Sequence, residues 1–150
     1  MALYVFGDIH GPVEIGKLTP RKFPAEPTLT EKDYVVVCGD FGFPFLPTDV
    51  LDEEKIPFDL PFARRQAVQN RRAYAKWVDW LAQRPYQILF VDGNHDNHAF
   101  WNAQPVEVWN GGMSNRLPDA PNVIHLLRGE YYTIAGKTFW AMGGASSIDR

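Results

Sequence analysis

The sequence predicts an α/β domain, and three stretches carry that prediction. Leu3-Tyr4-Val5-Phe6 runs into Gly7-Asp8-Ile9-His10-Gly11, Tyr34-Val35-Val36-Val37-Cys38 runs into Gly39-Asp40-Phe41-Gly42, and residues 86–91 run into Asp92-Gly93-Asn94-His95-Asp96. Each is a short β-rich apolar run that ends in a glycine with a carboxylate or amide beside it. Strands buried on both faces of a parallel sheet read as continuous apolar runs. In open α/β sheets, ligands collect outside the carboxyl ends of such strands. Three polar strand ends of this kind can form one site.

The remaining elements follow in order. Residues 12–27 carry four prolines and weak periodicity, which predicts an irregular connection with at most one helical turn. Residues 41–61 hold Pro44, Pro47, Pro57 and Pro61 around Asp49, Asp52, Glu53, Glu54 and Asp59; this predicts a loop over the site entrance and no long helix. From 62 to 84 the period becomes helical, with Ala67, Tyr74, Trp77, Val78 and Leu81 on one face and Pro85 as the stop. Its basic residues, Arg64, Arg65, Arg71, Arg72 and Lys76, read as a solvated face, with attraction for phosphate-bearing partners as the sharper alternative.

After the third strand, residues 97–103 read as a short helix closed by Pro105, residues 105–109 as extended chain and Asn110-Gly111-Gly112 as a turn. Residues 123–127, 130–134 and 137–142 read as three more strands, joined by turns at Arg128-Gly129 and Ala135-Gly136. The order is β-α-β units first, then a meander.

Composition narrows the function. At 150 residues the chain is one domain, and a net charge of -3 gives no general reason to bind nucleic acid or an anionic membrane, although a local basic patch leaves nucleic acid open. No apolar run approaches the roughly 20 residues that a membrane span needs. No charged leader followed by an apolar segment precedes Leu3, so a soluble, cytoplasmic protein is expected. The single cysteine, Cys38, closes a core strand and reads as a small buried hydrophobe.

Asp8, His10, Asp40 and Asn94 bring carboxylate, imidazole and amide groups from three strand ends. Hard oxygen donors mixed with imidazole suit Mn, Fe, Zn or Mg. A carboxylate such as Asp40 can bridge two ions, and paired ions about 3.5–4 Å apart clamp the attacking and leaving oxygens of a phosphoryl displacement. His95 is then free to act on the leaving group. Any one of these motifs alone is weak, because Gly-Asp pairs are common in turns and a lone histidine is more often structural. Their repetition in order is what gives them weight.

At these residues the sequence resembles the calcineurin-like metallophosphoesterase superfamily, whose first three motifs are matched by Gly7-Asp8-Ile9-His10-Gly11, Gly39-Asp40 and Gly93-Asn94-His95-Asp96. The stretches VVVCGDFG, LFVDGNHDN, VEVWNGG and IHLLRGEYYTIAGKTFWAMGGASS also look like bacterial and phage members. The resemblance implies a two-sheet sandwich flanked by helices and a centre of two divalent metal ions, manganese favoured. Asp8 and His10 would bind the first metal, Asp40 would bridge, and Asn94 would bind the second. His95 and Asp96 would be the catalytic pair, with His95 contacting the phosphoryl oxygen or protonating the leaving group and Asp96 orienting it. The implied partner is a phosphorylated substrate: a small molecule, a nucleotide or a phosphoprotein.

Two departures qualify the match. Phe41-Gly42-Phe43-Pro44 stands where the protein phosphatase branch carries an Asp-Arg pair. The later histidine-bearing motifs of the superfamily have no counterpart, since His98 and His125 lie outside such motifs; His125 reads as structural and His98 as a surface residue at a helix start, though either could reach the site. The chain is therefore expected to match the N-terminal part of such a domain, with an incomplete second sheet, exposed Tyr132, Phe139 and Trp140, and a tendency to self-associate. Two readings stand: a phosphoesterase that uses hydroxide at a dinuclear centre, or an inactive member serving as a metal-binding or protein-interaction scaffold. A nucleotidyl-binding α/β domain is disfavoured, because no Gly-x-Gly-x-x-Gly or Walker-type run follows a strand.

Overall fold

The structure is a computed structural model that describes residues 1–44 and 61–144, without the side chains of residues 61–67. A six-stranded mixed sheet has the order β1-β2-β3-β6-β5-β4, and a separate hairpin pairs β7 with β8. Strands β1 (Leu3–Phe6), β2 (Tyr34–Cys38), β3 (Gln87–Val91) and β6 (Ala120–Leu126) run parallel. Strand β5 (Gly112–Leu117) runs antiparallel to β6 and β4 (Glu107–Trp109) antiparallel to β5, and β7 (Tyr131–Ile134) with β8 (Lys137–Trp140) forms the second sheet. The mixed α/β class and the small second sheet agree with the expected two-sheet architecture.

Period-two geometry explains the two cores. Val35, Val37, Ile88, Phe90 and Val123 point to the helical side, while Leu89, Ile124 and Leu126 point to the hairpin with Tyr132, Ile134 and Ala141. On the first side lies α1 (Pro61–Ala82), which buries Val78 and Leu81 and half-buries Tyr74 and Trp77. Spacings of three and four residues put those side chains on one stripe. Arg71, Arg72 and Lys76 are exposed, as the solvated-face reading expected. Full burial of a side chain such as Leu81 contributes about 1.5–3 kcal/mol.

The proline-rich connection is more ordered than expected. It contains three single-turn 3-10 helices, Gly11–Val13, Ile15–Leu18 and Glu26–Thr28. Pro12 and Pro27 sit in the first positions of two of them, where a missing N–H costs nothing. Between them Ile15, Leu18, Phe23 and Leu29 reach the core. Glu26, itself buried, accepts from Arg84 Nη1 at 2.8 Å and from the Tyr86 hydroxyl at 3.2 Å, which clips this connection to the end of α1. The expected loop over the site entrance falls mainly on 45–60, outside the described residues.

Three further expectations are corrected. β5 was not expected, because Met113-Ser114-Asn115-Arg116 lacks an apolar pattern; Ser114 and Asn115 are nevertheless buried. Cys38 is exposed, because its side chain faces a groove between the sheets, lined also by Val36, Val91, Phe139, Trp140 and Met142, with a volume of about 360 Å³. Tyr132 is buried: its hydroxyl donates to the Met113 carbonyl and accepts from the Leu127 N–H, while Trp140 on the neighbouring strand is exposed. Among the described residues, no helix is long and apolar enough to cross a membrane.

Asp33 secures the start of β1. Its carboxylate accepts from the Ala2 N–H at 2.6 Å, the Thr30 N–H at 2.8 Å and the Thr30 hydroxyl at 2.9 Å, and these bonds lower its pKa to about 2. A depressed carboxyl adds stability above its unfolded pKa and loses it as the pH falls through the folded one. Wild type should therefore exceed Asp33→Asn in stability at neutral pH. Urea denaturation should show that difference shrinking between about pH 4, the free aspartate value, and about pH 2.

Candidate metal centre

The parallel register brings the ends of β1, β2 and β3 side by side, and backbone hydrogen bonds lace the loops that follow. The Asp40 carbonyl accepts from the Ile9 N–H at 3.0 Å and the His10 N–H at 2.7 Å, and the Phe41 carbonyl accepts from the Gly11 N–H at 2.9 Å. His10 and Asp40 adopt left-handed backbone conformations, with φ of 50° and 45°. Such conformations cost on the order of 1 kcal/mol for residues other than glycine, and they persist where the surroundings over-determine them. Here the mutual hydrogen bonds do so.

The outcome is a carboxylate-imidazole-carboxylate group. Asp8, His10 and Asp40 each offer a ligand atom, and these atoms lie within 4.8 Å of one another. Asp8 is exposed, His10 half-buried and Asp40 buried, so the group is anchored on one side and open on the other. Oxygen donors and one imidazole, without thiolate, fit a divalent ion such as Mn, Fe, Zn or Mg. Lys17 braces the first loop, donating to the Asp8 carbonyl at 2.7 Å and to Glu14 at 2.9 Å.

The third loop is pressed against this group. The His95 N–H donates to Asp40 Oδ1 at 2.9 Å, and the His95 ring stands edge-on to His10 with centroids 5.5 Å apart. Asn94 and His95 are both exposed at this rim. Asp96 turns the other way. Buried beneath the loops, its carboxylate accepts from the N–H groups of Gly42 at 2.6 Å, Gly93 at 2.8 Å and Phe41 at 3.3 Å; none of its hydrogen bonds runs to the His95 ring. Burial raises the Asp96 pKa, the three N–H donors pull against that rise, and nearby Asp40 adds to it.

Further residues lie below or beside the loops. Asp92 directly follows β3, and burial alone would raise its pKa, but His125 and Arg128 outweigh this and hold it well below the usual carboxylate range. His125 is buried, stacked on Phe90 with centroids 4.7 Å apart, and its Nδ1 pairs with Asn115 at 3.0 Å. His98 opens α2 (His98–Asn102) at the surface with Nδ1 3.3 Å from Asp92 Oδ2. Both histidines therefore meet Asp92, and neither belongs to the Asp8-His10-Asp40 group. Phe41 and Phe43 are fully buried and pack in the core.

In the sequence Gly93 stands out only as part of a strand-end motif, but its lack of a side chain matters more. A Cβ there would lie 2.0 Å from Asp40 Oδ1 and 2.4 Å from the Asp40 backbone nitrogen. The Gly93→Ala variant should lose about 1–3 kcal/mol of stability through overpacking. It should also bind Mn²⁺ more weakly at temperatures where it stays folded, which isothermal titration calorimetry would read beside a denaturant melt.

No curated protein and no solved structure matches the chain. A family model described as calcineurin-like phosphoesterase matches residues 1–149, a span that takes in all three strand-end loops and both sheets, and on that match the chain belongs to the calcineurin-like phosphoesterase family.

Proposed function

We propose that the chain hydrolyses a phosphate mono- or diester at a centre of two divalent ions, with manganese ahead of iron, zinc and magnesium, held by Asp8, His10, Asp40 and Asn94. The observation that carries this reading is the approach of Asp8, His10 and Asp40 to within 4.8 Å beside the exposed His95 ring. Bound there, such ions would neutralise the charge of a phosphoryl group and supply hydroxide near neutral pH by lowering the pKa of water towards about 7.

The side chains divide the remaining work. His95, open to solvent next to His10, donates a proton to the leaving oxygen or a hydrogen bond to a phosphoryl oxygen. Asp40 sets the distance of that imidazole by holding the His95 N–H at 2.9 Å. Asp96, a catalytic candidate in the sequence, acts as a positioning residue, because its oxygens are occupied by backbone N–H donors of the second and third loops. Substrates are phosphate esters in keeping with the family, and the cytoplasm is the proposed compartment.

The scaffold reading keeps one observation in its favour: Asp8-His10-Asp40 is the one group of three or more His, Cys, Asp or Glu ligands among the described residues. Elemental analysis separates the two. About two ions per chain supports the dinuclear centre, and none supports a scaffold. We propose that the chain self-associates through the groove that exposes Trp140 and Met142; Trp140→Ser should then shift sedimentation velocity towards the monomer.

With Mn²⁺ and p-nitrophenyl phosphate or its diester, His95→Ala should lower kcat by about 10²–10⁴, the usual contribution of a positioned general acid, while keeping its metal. Asp40→Asn should lose both metal and activity. Full activity in both variants would sink the reading.

A further inference from the structure

We propose that Asp92 and Arg128 form a positioning pair that holds the Gly93-Asn94-His95 loop in register with Asp40. The inference rests on the metal-centre reading for what the loop does, and on geometry alone for what holds it. Asp92 is buried at the end of β3, directly before the loop. Arg128 Nε lies 3.0 Å from both carboxylate oxygens, and Nη2 lies 2.6 Å from Oδ2. A planar guanidinium on a carboxylate fixes orientation as well as distance. His98 Nδ1 at 3.3 Å from Oδ2 and His125 Nε2 at 3.6 Å from Oδ1 flank the same carboxylate.

The pair joins three segments that are remote in sequence. Arg128 lies between β6 and β7, where the next residue donates its N–H to the Ala141 carbonyl at 2.8 Å. The Asp92 carbonyl accepts from the Gly144 N–H at 2.7 Å. Gly143 passes so close that a Cβ on it would lie 2.3 Å from Arg128 Nε and 2.4 Å from Asp92 Oδ1, and one on Gly144 would lie 3.2 Å from the Gly93 Cα. The second sheet and the chain after β8 are thereby clamped onto the residue that precedes Gly93.

Gly93 has no room to move towards Asp40, because its missing side chain already leaves the two backbones in contact. Any loosening of Asp92 therefore carries Gly93 away from Asp40, and with it the His95 N–H that Asp40 holds. Arg128 acts on the centre through this chain of contacts and touches no metal ligand itself. Its guanidinium also occupies the position that a cation would need in order to use Asp92, which makes the cluster a clamp and not a second metal site.

Arg128→Met in the full chain tests the pair, with Arg128→Lys as the conservative control and Asp92→Asn as the partner variant. The Arg128 side chain is 47% exposed, so its replacement leaves the core intact. Hydrogen exchange in peptides covering residues 91–96 and 142–144 should speed up by about tenfold or more in Arg128→Met, with β1 and β2 unchanged. Mn²⁺ affinity should fall by about 10–100-fold, the range for groups that orient metal ligands, and Lys should restore part of it. Unchanged exchange, or exchange rising equally in every strand, would overturn the proposal. Local loosening in a protein whose wild type takes up no Mn²⁺ would uphold the clamp and refute the metal-centre reading.

Discussion

Everything at the site depends on a backbone-to-carboxylate contact, the seating of Gly93 against Asp40. Parallel strands stand about 4.8 Å apart, too far for their end loops to touch unless the chain turns sharply towards its neighbour. Asp40 makes that turn with its positive φ, and Gly93 admits it by offering no side chain. The contact then organises its surroundings. Asp40 Oδ1 takes the His95 N–H, the Asp40 carbonyl takes two N–H groups from the first loop, and Asp96 gathers donors from the second and third. Three loops become one rigid rim because each supplies the hydrogen-bond partner that another lacks.

This arrangement also answers an electrostatic difficulty. Asp8, Asp40 and Asp96 are crowded into one end of the sheet, and like charges about 5 Å apart repel by about 3 kcal/mol at an effective dielectric constant near 20, less where solvent reaches them. Backbone N–H groups relieve the repulsion at Asp40 and Asp96, but the exposed Asp8 is left facing solvent beside His10. A divalent ion is the natural complement to the part of the charge that the protein leaves unneutralised. The buried carboxylate of Asp92, by contrast, is paired internally with Arg128 and flanked by two imidazoles. An acidic cluster and a lone carboxylate a few residues apart thus serve opposite ends, the first open to a ligand and the second closed around an arginine.

The parts of this design that lie in local pattern were legible in the sequence. Apolar runs ending in Gly-Asp or Gly-Asn gave β1, β2 and β3, helical spacing gave α1, and the same motifs named Asp8, His10 and Asp40. What escaped was written in partnerships across long separations. β5 is a polar strand that can be buried only because Asn115 bonds both the Trp101 carbonyl and His125. The residues 12–27 looked irregular because proline-started 3-10 turns show no period, although Ile15 and Leu18 anchor them in the core. Arg128 read as part of a turn, and nothing near it in sequence announces Asp92. Asp96 was assigned by its place in a motif, whereas its hydrogen bonds show it holding backbone.

The strained residues fit the same logic. His10 and Asp40 each hold a conformation that most side chains avoid, and both lie in the candidate metal group. A relaxed backbone at either position would swing its side chain out of the common space, so the strain is what makes the convergence geometrically accessible. It survives because most of the stabilising bonds are made by backbone N–H groups, those of Ile9, His10, Gly11 and Gly42, with the Asp96 carboxylate underneath. Apart from Asp40 Oδ1, which takes the His95 N–H, the restraint falls on the backbones and not on the ligand atoms, which is the condition for a preorganised binding site: the ordering has been done by the fold before any ion arrives.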